Sequence, residues 1–563
     1  MSVKEEIKKI IEKAVKGAGF GTHDFSLEMP KDVAHGDYST NIAFVLGKSA
    51  TKNPNELALM LKRGIEKDKK IIKKVEVVGG FINFFVNDTF FNETIKEILK
   101  RGKDFGKNQN LKNQKIIIEY TNTNILKEFH IGHLMGITIG ESLSRIFEFQ
   151  GANLKRDSYQ SDVGLHIAKT VWGRLNMKES FRGDTKSWNM AYAYGSEMYE
   201  NDERAKSNII DLNKKIFDKS DAKVNKIYEE GKKISLQSFG EIYKKLDTKF
   251  DYIILESQVA DFGKKIVEGG LKKGVFEKGE NGAVIFKGEK FGLHTRVFLN
   301  SEGLPTYEAK DLALAKFKYG KFKYDKSIVI TANEQNEYFK VMLCALKQID
   351  SKLAERTKHI GHGMMRLPEG KMSSRTGNVI TFEFLLGKVE KLVTEKIKDR
   401  DLLNEEKKEV IEKVAIGALR YSILKQSIGS DIVYDFEKSI SFEGDSGPYL
   451  QYSCARAQSV LRKAKEEKIK ASLKNIPDQV GQLERVMSYF PEIVEKAGRE
   501  YQPHVMVLYL TELAQEFNHY YANSKTVDVA DEFSPYKIAL TEAFTIIIKN
   551  GLWLLGINSL EKM

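Results

Sequence analysis

Ile116-Ile117-Ile118-Glu119-Tyr120-Thr121-Asn122-Thr123-Asn124, continued through Phe129-His130-Ile131-Gly132-His133-Leu134 to Gly151, is the stretch that decides the fold. Its first five residues form a continuous β-favouring run, the pattern of a strand buried on both faces of a parallel sheet. Thr121 to Asn124 are turn formers that break it. From Leu134, apolar residues at Ile137, Ile139, Leu143, Ile146 and Phe147 follow a roughly helical spacing until Gly151 supplies a stop. His130 and His133 therefore sit where a strand hands over to a helix. Free N–H groups and the positive end of the helix dipole gather there, which makes a natural phosphate site in open α/β sheets. Imidazoles at that turn can donate to a phosphate oxygen, and Gly132 lets a flat base approach the backbone. The expectation is a nucleotide cradle, although two histidines near a helix start also serve as ordinary structural or surface residues. His359-Ile360-Gly361-His362 repeats the tetrapeptide, but Gly363 to Pro368 leaves no room for a helix before the proline. Context selects the first copy.

At 563 residues the chain is long enough for three or four domains of about 150 residues each. Its 41% hydrophobic and 30% charged content is that of a soluble globular protein. With 90 Lys and Arg against 78 acids, the formal charge of +12 is compatible with a polyanionic partner such as nucleic acid. Cys344 and Cys454 are far apart, which argues against a disulfide framework or a cysteine zinc site and for a reducing compartment. Met1 to Lys16 carries Glu5, Glu6 and Glu12 and has no apolar segment, so no signal peptide is read there and a cytoplasmic location is expected. No apolar run approaches the length of a membrane span, so no membrane partner is expected.

Residues 1 to about 110 read as a small α/β domain. It has an opening helix with Ile7, Ile10, Ile11 and Ala14 on one face, and a second helix carrying Leu57, Leu59 and Leu61. Strands are expected at Val75 to Val78 and Phe81 to Val86, where exposed aromatics could stack on bases but mostly pack a core. Residues 115–400 alternate strands and helices, as a doubly wound fold does. Strands are read at Lys155 to Gln160, Ala283 to Lys287, Arg296 to Leu299 and Ser327 to Thr331, around a charged helical insertion at about 180–246 with solvated faces. A helix after Pro305 places Tyr307 and Asp311 on one face. Lys371 to Asn378 is a basic, hydroxyl-rich loop able to close on a triphosphate, or else a solvated turn. From 401 to 563 the helical period dominates, as in an α-helical bundle.

Together these residues resemble the class I aminoacyl-tRNA synthetases. Phe129 to Leu134 is similar to the first signature and Lys371-Met372-Ser373-Ser374-Arg375 to the second, mobile one. Within the class, the arginyl-tRNA synthetases are resembled over essentially the whole chain. Glu119 to Lys127 is similar to that family's lead into the first signature. His35 to Asn41 and Gly80 to Asn83 are similar to its N-terminal domain, and Tyr449 to Tyr452, Phe517 to Tyr521 and the ending at Met563 to its anticodon-binding helices.

The resemblance implies a Rossmann-like α/β catalytic core, an N-terminal α/β domain that contacts tRNA and a C-terminal all-α anticodon-binding bundle. It also implies ATP-dependent formation of arginyl-adenylate and transfer to the 2′-hydroxyl of tRNA(Arg), with Mg2+ accompanying ATP, no protein-held metal, and a monomer. ATP would meet His130, Gly132, His133, Lys371, Met372, Ser373 and Ser374. Glu119, Asn122, Asn124, Tyr307, Asp311 and Gln335 would take L-arginine, whose planar cation suits carboxylates. The tRNA would meet Phe81, Asn83, Tyr449, Tyr452, Tyr521 and Met563. Ser374 stands where the second signature usually has a lysine, so Lys127 joins Lys371, His130 and His133 as the expected catalytic set. His166 stands where the family often has glutamine, which leaves its role open. A class I synthetase for lysine and a non-catalytic tRNA-binding paralogue are the alternatives.

Overall fold

The computed structural model describes all residues except 1–2, 31, 67–69, 178–180, 369–379 and 401. Lys371, Met372, Ser373 and Ser374 thus lie outside the described residues.

The N-terminal part is an antiparallel four-stranded sheet with helices on it. Its strands β1 (Leu27–Glu28), β2 (Tyr38–Thr40), β3 (Ile72–Val78) and β4 (Phe81–Val86) lie in the order β1-β2-β4-β3. The opening helix Val3–Gly17 buries Val3, Ile7, Ile11 and Val15, a strict four-residue stripe. Ile10 and Ala14, expected on that face, lie half-buried at its flank. Helix Pro54–Ile65 buries Leu57, Ala58, Leu61 and Ile65, whereas Leu59 points outward because it falls between the helical steps.

The central part is built on five parallel strands, β5 (Lys115–Glu119), β6 (Asn153–Gln160), β7 (Tyr252–Leu255), β11 (Lys326–Ala332) and β12 (Thr357–His362), in the order β12-β11-β5-β6-β7. The order reverses between β5 and β11, so the ligand crevice of such a sheet opens at the carboxyl ends of those two strands. The chain leaves β5 through residues 120–130 and enters helix Ile131–Phe149, the signature helix, at that crevice. Three further strands, β8 (Glu277–Lys278), β9 (Val284–Phe286) and β10 (Arg296–Leu299), form a separate antiparallel sheet. The expected strands at Ala283 to Lys287 and Arg296 to Leu299 therefore exist but lie outside the parallel sheet.

The expected insertion is helical, as Thr185–Asn201, Glu203–Asp218 and Ala222–Lys245. Its charged faces are only half of the account. Trp188, Ile209, Leu212, Tyr228 and Phe239 join the main core, and Gly173 and Gly195 bring helices Leu165–Asn176 and Thr185–Asn201 so close that a Cβ at either would overlap a backbone carbonyl at 1.9 Å.

The C-terminal part is helical, with Asn404–Leu424, Gly447–Glu466, His504–Asn523 and Ser534–Leu554 as its long members, except for the two-residue strand Ile432–Val433, which pairs in parallel with Met365–Arg366 of the central part. Its core is continuous with that of the central part. Ser142 and Arg145 of the signature helix donate to the carbonyls of Leu554 (2.9 Å) and Trp553 (3.0 Å), satisfying the otherwise orphaned end of the last helix. The N-terminal part is held by Arg485, which pairs with buried Asp37, and by the Tyr38 hydroxyl, which donates to Glu492 at 2.7 Å.

Candidate active site

The turn after β5 is backbone-strained and tightly pinned. Thr121 and Leu126 take φ of 61° and 66°, a region that L side chains rarely occupy. Ile125 N–H donates to the Ser161 carbonyl and Ser161 N–H to that of Thr123, both at 3.0 Å, while Leu126 N–H meets Ser235 Oγ at 3.0 Å. These bonds tie the turn to the carboxyl end of β6 and to the helix Ala222–Lys245.

His130 then caps the signature helix. Its Nδ1 accepts the Gly132 N–H at 3.1 Å, and His133 Nδ1 accepts the His130 N–H at 3.2 Å. The two rings stack with centroids 3.6 Å apart. Because both Nδ1 atoms accept, each neutral ring carries its proton on Nε2. Burial, with the nearby Lys127 charge, holds His130 down at about 4. Burial, with His130 and Lys127, holds His133 well below the ordinary histidine value. The result is a pair of neutral N–H donors at a helix N-terminus. Gly132 is needed for a reason other than the approach of a base: a Cβ there would press on the His130 ring at 3.0 Å. Lys127 lies with its ammonium 3.8 Å from the centre of the Tyr192 ring.

Of the two acids expected at the site, Glu119 is buried and Asp311 half-buried, and they stand in different company. Glu119 accepts from Asn122 Nδ2 at 3.1 Å and is ion-paired with Lys318, which the sequence reading missed. Asp311 accepts from the Tyr338 hydroxyl at 2.6 Å, and burial, with Glu119 and Glu256 nearby, pushes it up to about 8. A carboxyl so placed has most to gain from an arriving cation. Tyr307 is 52% exposed at the rim, while desolvation of its hydroxyl, with Glu256 nearby, pushes that group up to about 12. Asn124 bridges to Ser161 through its backbone, and Gln335 is exposed in the turn that leaves β11. His166 donates from Nε2 to the Ser161 carbonyl at 3.3 Å; burial, Lys127 and Lys310 keep it neutral, down to about 3.

A third acid, Glu256, is ion-paired with Lys310 beneath Tyr307. It follows β7, a four-residue strand whose sequence, Tyr252 to Leu255, has no alternation to mark it. That is why the sequence reading passed over it.

The residues expected to meet tRNA divide. Phe81 is 46% exposed, with its ring 4.8 Å from that of Phe44. Asn83 is corrected: it is buried, accepting from Ser39 Oγ at 2.7 Å, because Asn83 and Ser39 are register partners on β4 and β2. Tyr452, Tyr521 and Met563 line one pocket of about 480 Å³ with Arg400, Arg456 and Lys463. There the Arg456 guanidinium lies 4.7 Å from the Tyr452 ring and 5.2 Å from the Tyr521 ring. Tyr449 stands behind it, its hydroxyl accepting from Asn518 at 3.0 Å. Arg400 was missed because it sits in an irregular turn with no motif around it.

Comparison with known proteins agrees with the fold. The family profile described as tRNA synthetases class I (R), catalytic domain, matches residues 94–436; an arginyl tRNA synthetase N terminal domain profile matches 2–86, and a DALR anticodon binding domain profile matches 450–563. An arginine–tRNA ligase of Clostridium kluyveri is 31% identical, covering 99% of each chain, and that of Pyrococcus furiosus is 29% identical, covering 100% of each. The solved arginyl-tRNA synthetase of Thermus thermophilus superposes with a TM-score of 0.79 at 23% identity, covering 100% of both chains, which is a likeness of fold. With its catalytic profile spanning more than half of its length and a relative above 30% identity end to end, this chain belongs to the arginyl-tRNA synthetase family of class I aminoacyl-tRNA synthetases.

Proposed function

We propose that the chain joins L-arginine to tRNA(Arg) in two steps, with His130, His133, Lys127 and Lys371 acting on the phosphates of ATP. In the first step an arginine carboxylate oxygen attacks the α-phosphorus of ATP, the bond to the β-phosphate oxygen breaks, and arginyl-adenylate and pyrophosphate result. In the second, the terminal 2′-hydroxyl of tRNA attacks the adenylate carbonyl, releasing AMP. Magnesium enters with ATP as part of that substrate.

The single observation that carries this reading is the stacked imidazole pair, whose Nδ1 atoms are spent on the backbone and whose Nε2–H donors are neutral. Donors fixed before the substrate arrives cost no reorganisation as charge moves onto the phosphates. Lys127 supplies positive charge beside them, since Ser374 stands where a second lysine would otherwise be expected. The cationic side chain of arginine meets the acid side of the crevice, made by Asp311, Tyr307 and Glu119. Asn122, Asn124 and Gln335 face its α-groups.

In this reading residues 1–110 and 401–563 hold tRNA on either side of the catalytic residues 115–400. Phe81, Tyr449, Tyr452, Tyr521 and Met563 are contact residues. The protein works as a cytoplasmic monomer.

The deciding test is aminoacylation of unfractionated tRNA with each labelled amino acid in turn, in the presence of ATP and magnesium. Arginine alone is expected to give product. Charging with lysine, or no product at all, overturns the reading.

A further inference from the structure

Glu119, read above as part of the arginine side of the crevice, has two further buried charged groups beside it, Asp157 and Lys318, to which that reading gives no part. Glu119 ends β5, and Asp157 is its direct register partner on β6. Lys318 reaches both from the last turn of helix Tyr307–Lys321. Their exposures are 2%, 0% and 3%, so none of them is solvated from outside. Lys318 is ion-paired with Glu119, but among the described residues no side chain hydrogen-bonds either carboxyl oxygen of Asp157, which only the Ser158 backbone eases. A carboxyl with so little support in the centre of a parallel sheet is costly, and a well-packed apolar residue would fill the place better. Its presence calls for an account in terms of charge.

The arithmetic of the trio supplies one. Glu119 and Lys318 cancel. With Asp157 protonated, the trio is neutral and offers no net attraction to a cation. With Asp157 ionised, it carries one negative charge, which one guanidinium matches. Lys318 is the internal cation paired with Glu119, and Asp157 is the reserve of negative charge.

We propose that Lys318 and Asp157 are positioning residues that set the charge of the arginine pocket, with Asp157 giving up its proton to solvent as the cationic side chain enters beside Glu119. The only bond broken is the carboxyl O–H. The proposal rests on the reading that Glu119 lines the arginine pocket.

The surroundings fit. Burial, reinforced by Glu119 and opposed by Lys318, pushes Asp157 up to about 8, so near neutrality it holds a proton that an added positive charge can expel. Burial works against the Lys318 ammonium, but Glu119 and Asp157 outweigh it and hold the charge on. The other groups in reach are Tyr324, facing Lys318, and Asp311, which sees Glu119, Tyr338, Glu256 and Lys310. Asp311 is also pushed up to about 8, so it contributes a proton of its own to the wild-type count.

The experiment is isothermal titration of arginine into the full-length protein near pH 7.5, in buffers of different protonation enthalpy, which counts the protons released. It is combined with KM values for arginine, ATP and tRNA. Wild type is expected to release protons, and Asp157→Asn, an isosteric change, to release fewer. The same variant should raise the arginine KM by about tenfold, the loss of one nearby charge at an effective dielectric well above that of a dry interior, while leaving the ATP KM in place. Its arginine KM should also vary less between about pH 6.5 and 8.5. Lys318→Arg should restore most of what Lys318→Met loses.

An unchanged proton count and arginine KM in Asp157→Asn overturn the proposal. So does the absence of proton release from wild type, however the variants fold. Glu119→Gln separates the two layers: if it leaves the arginine KM unchanged, the pocket reading fails. If it raises that KM while Asp157→Asn behaves as wild type, only the proposal on Asp157 falls.

Discussion

Residues 130–133 and 359–362 are the same four letters, yet one set is a helix cap and the other an edge strand. At the first, one helical turn brings the two rings together, and each Nδ1 is used on a backbone N–H, so both Nε2 atoms are left as donors. At the second, residues three apart on a strand point to opposite faces. His359 lies flat on Phe339 at 4.0 Å and bonds Thr331 Oγ1 at 2.8 Å, while His362 Nδ1 donates to the Gly363 carbonyl at 2.7 Å. A histidine pair becomes a pair of aligned N–H donors through the backbone it stands on, not through its spacing in sequence.

Removing an imidazole should separate the two copies most. His130→Ala is expected to lower the arginylation kcat by roughly a hundredfold, the usual cost of one preorganised donor to developing charge. His359→Ala should change it by less than about threefold, since that ring is used on Phe339 and Thr331 within the fold. Steady-state arginylation of both variants measures this, and equal losses would break the comparison. The glycines invert the contrast. A Cβ at Gly361 would meet Asn336 Oδ1 at 2.1 Å, so Gly361→Ala should cost about 1–3 kcal/mol of stability in thermal melting and little kcat. At Gly132 the clash is with the His130 ring, so Gly132→Ala should lower kcat more than the melting temperature.

The contrast also explains what could be read from the sequence. The strand, turn and signature helix were legible because apolar runs, turn formers and a terminal glycine agree there. The parallel strand β12 was not: its sequence, Thr357 to His362, is polar, and it is held by pairing with β11 on the sheet edge. Glu119 and Asp311 were found through the family pattern and the chemistry of a guanidinium. Lys318, Asp157 and Glu256 were not, because a buried ion pair brings together residues as far apart as 119 and 318, and no local spacing encodes that. Asn83 looked like an exposed polar position in an aromatic strand. Its cross-strand partner Ser39 turned it inward.

Each copy also has a basic residue three positions before its first histidine, Lys127 and Arg356, and here again the surroundings differ. Lys127 lies over Tyr192, and its charge bears on both imidazoles. Arg356 is spent on the Tyr324 carbonyl at 2.8 Å and the Tyr319 hydroxyl at 3.1 Å. Lys127→Ala is expected to slow ATP–pyrophosphate exchange, measured with tRNA present, by about tenfold. Arg356→Ala should leave the exchange rate in place and cost about 1 kcal/mol of stability. If Lys127→Ala kept its rate, the charge beside the phosphates would have to come from another residue.

The smallest effect is one the two copies should share. Burial holds His130 at about 4, with Lys127 contributing, and His359 at about 4, with His362 contributing. Both lie below the histidine value of about 6.5 expected in the unfolded chain. The unfolded chain therefore binds protons that the folded one refuses. The stability from each neutral ring is fully present above about pH 6.5 and is lost as the pH falls toward 4. His130→Asn and His359→Asn should each make the fall in melting temperature between about pH 6.5 and 4.5 shallower than in wild type, by similar small amounts. Melting curves across that range check it. A His359→Asn curve parallel to wild type would mean that the stacked ring accepts a proton where it lies, and the likeness between the copies would end at their letters.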